Sequence, residues 1–153
     1  MTFDASAAGR LTALTAALRA SAAGLYPAEA GAELLIGHQS WLLRPDFTGA
    51  FVTMAPGIGE ETLMAVIDWT AAIGALDAGG LPCGGGERRM LRLAASLAGG
   101  IPVDLGGSLT GLDRGNLAAA ATAVLRAGGH RDVSVTLPPD APPRRVRVKG
   151  GQW

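Results

Sequence analysis

The residues best suited to chemistry form a glycine-rich helix start that is followed by arginines. Three glycines, Gly84, Gly85 and Gly86, precede an amphipathic segment, and Arg88 and Arg89 lie in its first turns. Backbone N–H groups at a helix start have no partner within the helix, and the helix dipole favours an anion there. Glycines leave these N–H groups open to a ligand. The pattern therefore predicts a site for a phosphate-bearing ligand formed by these five residues.

A purely structural interpretation of the same stretch stays open. Glycines also start helices of the protein core, and arginines on an amphipathic helix commonly form its solvated face. Met90, Leu91 and Leu93 supply the apolar stripe that such a core helix needs. We expect this interpretation to hold unless a ligand is found.

Other reactive side chains do not form a recognisable catalytic or metal-binding pattern. Cys83 precedes the glycines, where the helix dipole would favour a thiolate, but the sequence identifies no base beside it. His38 and His130 have no second ligand at metal-binding spacing. Asp68 and Asp77 are nine residues apart and would lie on different helical turns. We therefore predict no catalytic residue, no metal site and no cofactor.

Residues 82–116 combine features that resemble a known ATPase segment. The run Gly84-Gly85-Gly86-Glu87-Arg88-Arg89, an amphipathic helix and the later Thr110-Gly111-Leu112-Asp113 resemble the signature helix and D-loop of ABC-type ATPases. In that family the signature helix contacts nucleotide phosphates bound by the opposite subunit. The resemblance implies a helix start that faces a phosphate.

The same segment departs from the ABC pattern at the positions that carry its chemistry. Gly84 stands where the family has its signature serine, and Gly106 and Gly107 occupy the positions of its acidic pair. A phosphate loop also needs a lysine after its glycines, and Lys149, the single lysine, lies near the chain end. We therefore expect no nucleotide hydrolysis by the chain itself.

A second resemblance covers the same stretch together with the residues just before it. From Leu81 to Asn116 the sequence is similar to small proteins of high-GC actinobacteria. That resemblance implies no activity. The arginine, alanine and glycine excess agrees with such a genome.

Apolar spacing predicts a mainly α fold, a compact single-domain bundle of about five to six helices. Asp113 or Asn116 can start the last helix, which runs through Leu117, Val124 and Leu125. The other predicted helices carry their apolar residues at Leu11–Leu18, Leu34–Leu42, Phe47–Val52, Leu63–Leu76 and Met90–Leu97. We place the Leu63–Leu76 helix deepest and expect Trp69 at its centre to be buried.

The C-terminal part changes pattern. Val133–Leu137 and Arg145–Val148 alternate with period two around a proline-rich link, which is typical of β-prone segments. We therefore divide the chain into a helical domain, residues 1–130, and a proline-rich, β-prone tail, residues 131–153. This tail could pair within the chain or order on a partner.

Composition limits the partners and the compartment. The 153 residues carry 13 basic and 13 acidic side chains, so no net charge attracts nucleic acid or an anionic membrane. Cys83 is the single cysteine, so no disulfide can form within the chain, and a cytoplasmic location is expected. No window is apolar enough for a membrane span. We expect neither nucleotide, nucleic acid nor membrane as a partner.

Three functional hypotheses follow from the sequence. The first is a non-enzymatic protein–protein interaction or assembly protein, including self-association. The second is a regulatory module that binds a phosphate-bearing ligand at the Gly84–Gly86 helix start. The third is a nucleic-acid-associated accessory protein that uses its arginines.

Overall fold

Apolar periodicity, glycine stops and side-chain caps divide the chain into short helices around one small hairpin. The computed structural model describes residues 6–59 and 61–139. Within these ranges it contains seven helices and a two-stranded sheet, so the prediction of a mainly helical fold is confirmed and the helix number exceeds the predicted five to six. The elements are α1 (Ala7–Ala22), α2 (Tyr26–His38), α3 (Pro45–Phe51), β1 (Val52–Pro56), β2 (Leu63–Ile67), α4 (Trp69–Asp77), α5 (Gly85–Gly99), α6 (Leu105–Thr110) and α7 (Arg114–Ala127).

The predicted central helix from Leu63 to Leu76 is wrong in its first part. Residues Leu63–Ile67 form β2, which pairs antiparallel with β1 in the register Val52↔Ile67 to Pro56↔Leu63. The prediction of a helical segment up to Val52 is wrong at its end for the same reason. Short apolar runs fit either a strand or a helix, and here the pairing of two such runs decides for the strand.

Helix α4 begins only where a side chain can cap it. The Asp68 carboxylate accepts a hydrogen bond from the Ala71 N–H at 3.0 Å, so Trp69 is the first helical residue and not the centre of the helix. Trp69 is partly buried against the core, which corrects the prediction that it is a buried core residue. Of the tryptophans that the structure describes, Trp41 is the one that is fully buried.

Helix α2 ends at His38, before the apolar residues Trp41 and Leu42 that the sequence analysis places on it. Gln39 follows His38 with φ 64°, a left-handed conformation that stops the helix, and its N–H donates to the Leu35 carbonyl. The predicted continuation to Leu42 is therefore wrong. The turn after Gln39 directs Trp41 and Leu42 into the core.

Helix α2 packs against α5 and α7, and α1 packs against β2. At Gly31 the backbones of α2 and α5 approach so closely that a Cβ would lie 2.6 Å from the Ala98 Cβ. The largest fully buried side chains belong to Trp41, Phe47, Leu35, Leu76, Met90 and Leu91. The core thus runs along α2 and α5 and ends beneath α3.

The beginning of the predicted tail returns along α7. Arg131 Nη2 lies 2.7 Å from Glu29 Oε1, and the Val135 N–H donates to Thr122 Oγ1 at 2.9 Å. Residues 131–139 form no strand, so Val133–Leu137 pairs as a strand with no other described segment. The second β-prone segment, Arg145–Val148, lies outside the described residues, and both the domain boundary at residue 130 and the pairing or partner of the tail stay predictions.

The described helices are too short or too polar to cross a membrane.

Candidate functional site

The predicted ligand site is the start of α5. Gly84 is the N-cap residue, with φ −69° and ψ 163°, and no side chain caps the helix. The Arg88 N–H donates to the Gly84 carbonyl at 3.0 Å, which closes the first turn. The predicted helix start is confirmed, and no side chain caps the backbone N–H groups of its first turn.

Three arginines and one of the three glycines line one polar cleft. Its volume is about 550 Å³, and its lining comprises Gly85, Arg88, Arg89, Arg92, Pro102, Val103, Asp104, Gly107 and Ser108. Arg88 is exposed and Arg89 is half-buried. The structure therefore brings three of the five predicted residues, Gly85, Arg88 and Arg89, to one cleft, whereas Gly84 and Gly86 do not line it.

Arg89 connects the glycines to the turn between α6 and α7. Its guanidinium lies where a Cβ of Gly111 would stand, and Nη1 is 2.8 Å from the position of a Cβ at Gly85. The start of α5 and the turn before α7 thus meet at this side chain.

Acidic groups offset part of the positive charge around the cleft. Arg92 forms an ion pair with Asp77, and the Asp104 carboxylate caps α6 by accepting from the Gly107 N–H at 3.1 Å. Glu87 Oε1 lies 3.9 Å from the position of a Cβ at Gly84. A carboxylate in the first turn already complements the helix dipole. The site is therefore less attractive to an anion than the three arginines suggest.

Trp41 and Arg44 hold the start of α5 on its inner side. Trp41 Nε1 donates to the Glu87 carbonyl at 2.9 Å, and Arg44 Nη1 donates to the Pro82 carbonyl at 2.7 Å. Arg44 Cζ lies 4.6 Å from the centre of the Trp41 ring, and its guanidinium pairs with Asp46. That ion pair lowers the pKa of the Asp46 carboxyl. Sequence reasoning missed this anchor because its residues are about 40 positions from α5.

His38 lies at the end of α2 near the same region. Its Nδ1 is buried and has no hydrogen-bond partner among the described residues. Burial lowers the pKa of His38, and the negative charges of Glu87 and Asp113 oppose this shift only in part. Among the described residues no three His, Cys, Asp or Glu side chains are placed to hold a metal ion.

A second cavity is apolar and lies between α5, α6 and α7. Its volume is about 720 Å³, and its lining comprises Leu34, Leu93, Ser96, Leu97, Val103, Leu105, Leu109, Leu117, Ala120, Ala121, Val124 and Leu125. We call this cavity the apolar groove. At its rim Leu105 and Val124 remain 50% and 54% exposed.

The sequence contains a signal for the groove in the apolar residues of the last helix. The prediction places Leu117, Val124 and Leu125 on that helix without saying which of them are buried. In the structure Ala120 and Ala123 bury that helix, whereas Val124 and Leu125 stay exposed. A helix that is apolar on two sides indicates that only one of them can be packed within the chain.

Searches of protein-family models, of curated proteins and of solved structures find no match to this chain.

Proposed function

We propose that this is a non-enzymatic interaction protein that binds another protein surface in the apolar groove. One observation carries the proposal, namely that the groove is a cavity of about 720 Å³ lined almost entirely by aliphatic side chains. Among the described residues that line it, Ser96 alone has a polar side chain. A small-molecule site with chemistry would need convergent polar groups, which this lining lacks.

The energetic argument rests on the exposed rim. Full burial of an exposed aliphatic side chain contributes about 1.5–3 kcal/mol, and Leu105, Val124 and Leu125 are all at least 38% exposed. Contiguous apolar surface of this kind typically marks a site of protein association. A partner that fills the groove would also cover the rim.

The experiment places a photoreactive benzophenone amino acid at position 124 of the full chain. We expect covalent products with protein after irradiation in cells. The matched control carries the same amino acid at Val66, which is 59% exposed on β2, away from the groove. Equal product yields at the two positions, or no product at position 124, would contradict the proposal.

A second candidate function is binding of a phosphate-bearing ligand at the Gly84–Gly86 helix start. The observation that favours it is the common cleft of Gly85, Arg88 and Arg89. It ranks second because Glu87 already supplies a negative charge at this helix start. For the nucleic-acid hypothesis we find no comparable support, since Arg92 pairs with Asp77 and Arg44 with Asp46.

Thermal melts with millimolar inorganic phosphate or ADP test the second candidate. Ligand binding to the native state would raise the melting temperature with saturation. Gly85→Ala would block the approach to the backbone N–H groups, and Arg88→Ala would remove a charge-assisted contact. We expect no shift in the parent or either variant. A saturable shift in the parent alone would make the phosphate site the better-supported function.

We also retain the cytoplasm as the proposed location. Its support is the single cysteine, Cys83, which leaves the chain without an internal disulfide.

A further inference from the structure

We propose that the occupant of the apolar groove is a second copy of this chain, arranged so that the two α7 helices pack antiparallel about a two-fold axis. This inference rests on the proposed function, because it names the partner of the same groove. Four features of the surface support it.

The first feature is the spacing of apolar residues on the outer side of α7. Leu117, Ala121 and Val124 are related by steps of four and three residues, which place them on one face of the helix. All three line the groove. The opposite side of the helix, with Thr122 and Ala123, is already buried. The outer face therefore has the pattern of a helix that packs against another helix.

The second feature is that a concave and a protruding apolar surface lie side by side. The groove floor is buried, with Leu34 at 4% and Leu93 at 6% exposure, whereas Leu105 and Val124 at the rim are at least half exposed. In a two-fold interface each copy offers the same patch to the other. The rim of one copy can then enter the groove of its partner, and the reverse contact forms at the same time.

The third feature is the absence of charge among the described residues that line the groove. A two-fold axis brings identical residues close to each other, so a charged centre would repel its own copy. An uncharged lining avoids this repulsion. A partner selected by charge would find no complementary group there.

The fourth feature concerns the two ends of α7. The basic residue of its last turn, Arg126, faces away from the groove into a separate cavity that Glu29 and Glu33 also line. None of the described residues that line the groove therefore places a cation at the carbonyl end of α7. Arg114 lies three residues before Leu117 and so on the same side of the helix. Antiparallel packing would place Arg114 of each copy beside the carbonyl end of the other, which is electrostatically favourable.

The experiment measures the mass of the full chain by sedimentation equilibrium over a concentration series. We expect a dimer. Val124→Arg should raise the dimer dissociation constant at least about tenfold, because it places two positive charges near the axis. Val66→Arg is the matched control, since Val66 is similarly exposed and lies on the hairpin. It should leave the constant unchanged, and thermal melts should show both variants folded.

A cross-link identifies the contacting surface directly. In a Cys83→Ser background, Val124→Cys should form a disulfide-linked dimer on mild oxidation, whereas Val66→Cys should not. A monomer at every concentration would overturn the inference, as would equal disruption by Val124→Arg and Val66→Arg.

The benzophenone at position 124 distinguishes failure of this inference from failure of the proposed function. Products of twice the chain mass support the second copy. A product with a different protein would overturn the inference and leave the proposed function standing. A product within one chain, to residues 140–153, or no product at all, would overturn both.

Discussion

The two halves of α5 face opposite kinds of surface. Its first half, with Gly85, Arg88 and Arg89, lines the polar cleft, and its second half, with Leu93 and Leu97, lines the apolar groove. The segment before α6 joins the two, because Val103 contributes to both cavities. One amphipathic helix thus contributes to two surfaces. The polar cleft contains the residues of the predicted motif, and the apolar groove contains no motif.

This difference shows that a recognisable sequence motif does not indicate which part of the surface still lacks an interaction partner. At the polar end, Arg92 has an ion-pair partner and Glu87 complements the helix dipole, so little of the charge awaits a ligand. At the apolar end, Val124 and Leu125 stay exposed because nothing in the described chain covers them. We therefore expect binding of a partner to be more favourable at the apolar groove, where no motif lies, than at the polar cleft.

The largest expected effect comes from removing the anchor of the polar end. Trp41 is fully buried, its ring centre lies 5.4 Å from that of the tilted Phe47 ring, and its Nε1 donates to the Glu87 carbonyl. Trp41→Ala should reduce the free energy of unfolding by about 3–5 kcal/mol, as measured by urea denaturation. Trp41→Phe, which keeps an aromatic ring and loses the hydrogen bond, should cost less. A loss below about 1 kcal/mol for Trp41→Ala would show that Trp41 does not anchor α5.

A smaller effect is expected beside the second half of α5. A Cβ at Gly31 would lie 2.6 Å from the Ala98 Cβ and 2.8 Å from the Ala94 carbonyl oxygen, so Gly31→Ala forces α2 and α5 apart. Overpacking of this kind costs about 1–3 kcal/mol in unfolding free energy. Gly37→Ala on the same helix meets no atom within 4 Å and should stabilise by up to about 1 kcal/mol. Both unfolding free energies are measured by urea denaturation. An equal increase for Gly31→Ala and Gly37→Ala would exclude the close α2–α5 contact.

The smallest effect concerns pH at the polar end. Burial lowers the pKa of His38 in the folded state, so the unfolded chain binds a proton more readily. Stability should therefore fall as the pH drops through the ordinary histidine pKa of about 6.5, and the loss should be complete below the folded pKa. Glu87 and Asp113 face the same ring and moderate the effect.

Melting temperatures between about pH 7.5 and pH 5.5 check this expectation, since that window spans the ordinary histidine pKa. His38→Gln should flatten the dependence, because it removes the group whose pKa is lowered by burial. An identical slope for His38→Gln and the parent would assign the pH response to other groups.

The sequence by itself determined the helical class and several helix ends. Asp113, one of the two predicted start residues, caps α7 by accepting from the Asn116 N–H, and Gly100 ends α5 in the left-handed conformation. The start of α5 after Gly84 was predicted as well. These features depend on backbone groups a few residues apart, so local sequence contains their cause.

Only the tertiary structure decided which apolar residues are buried. Residues Leu63–Ile67 became a strand because Val52–Pro56 lies beside them, and Trp41 displaced Trp69 as the central ring because a turn at Gln39 directs it inward. Leu117 and Val124 became groove residues because alanines bring the other side of α7 against α2. Burial depends on the neighbours that distant segments supply, and periodicity within one segment does not contain that information.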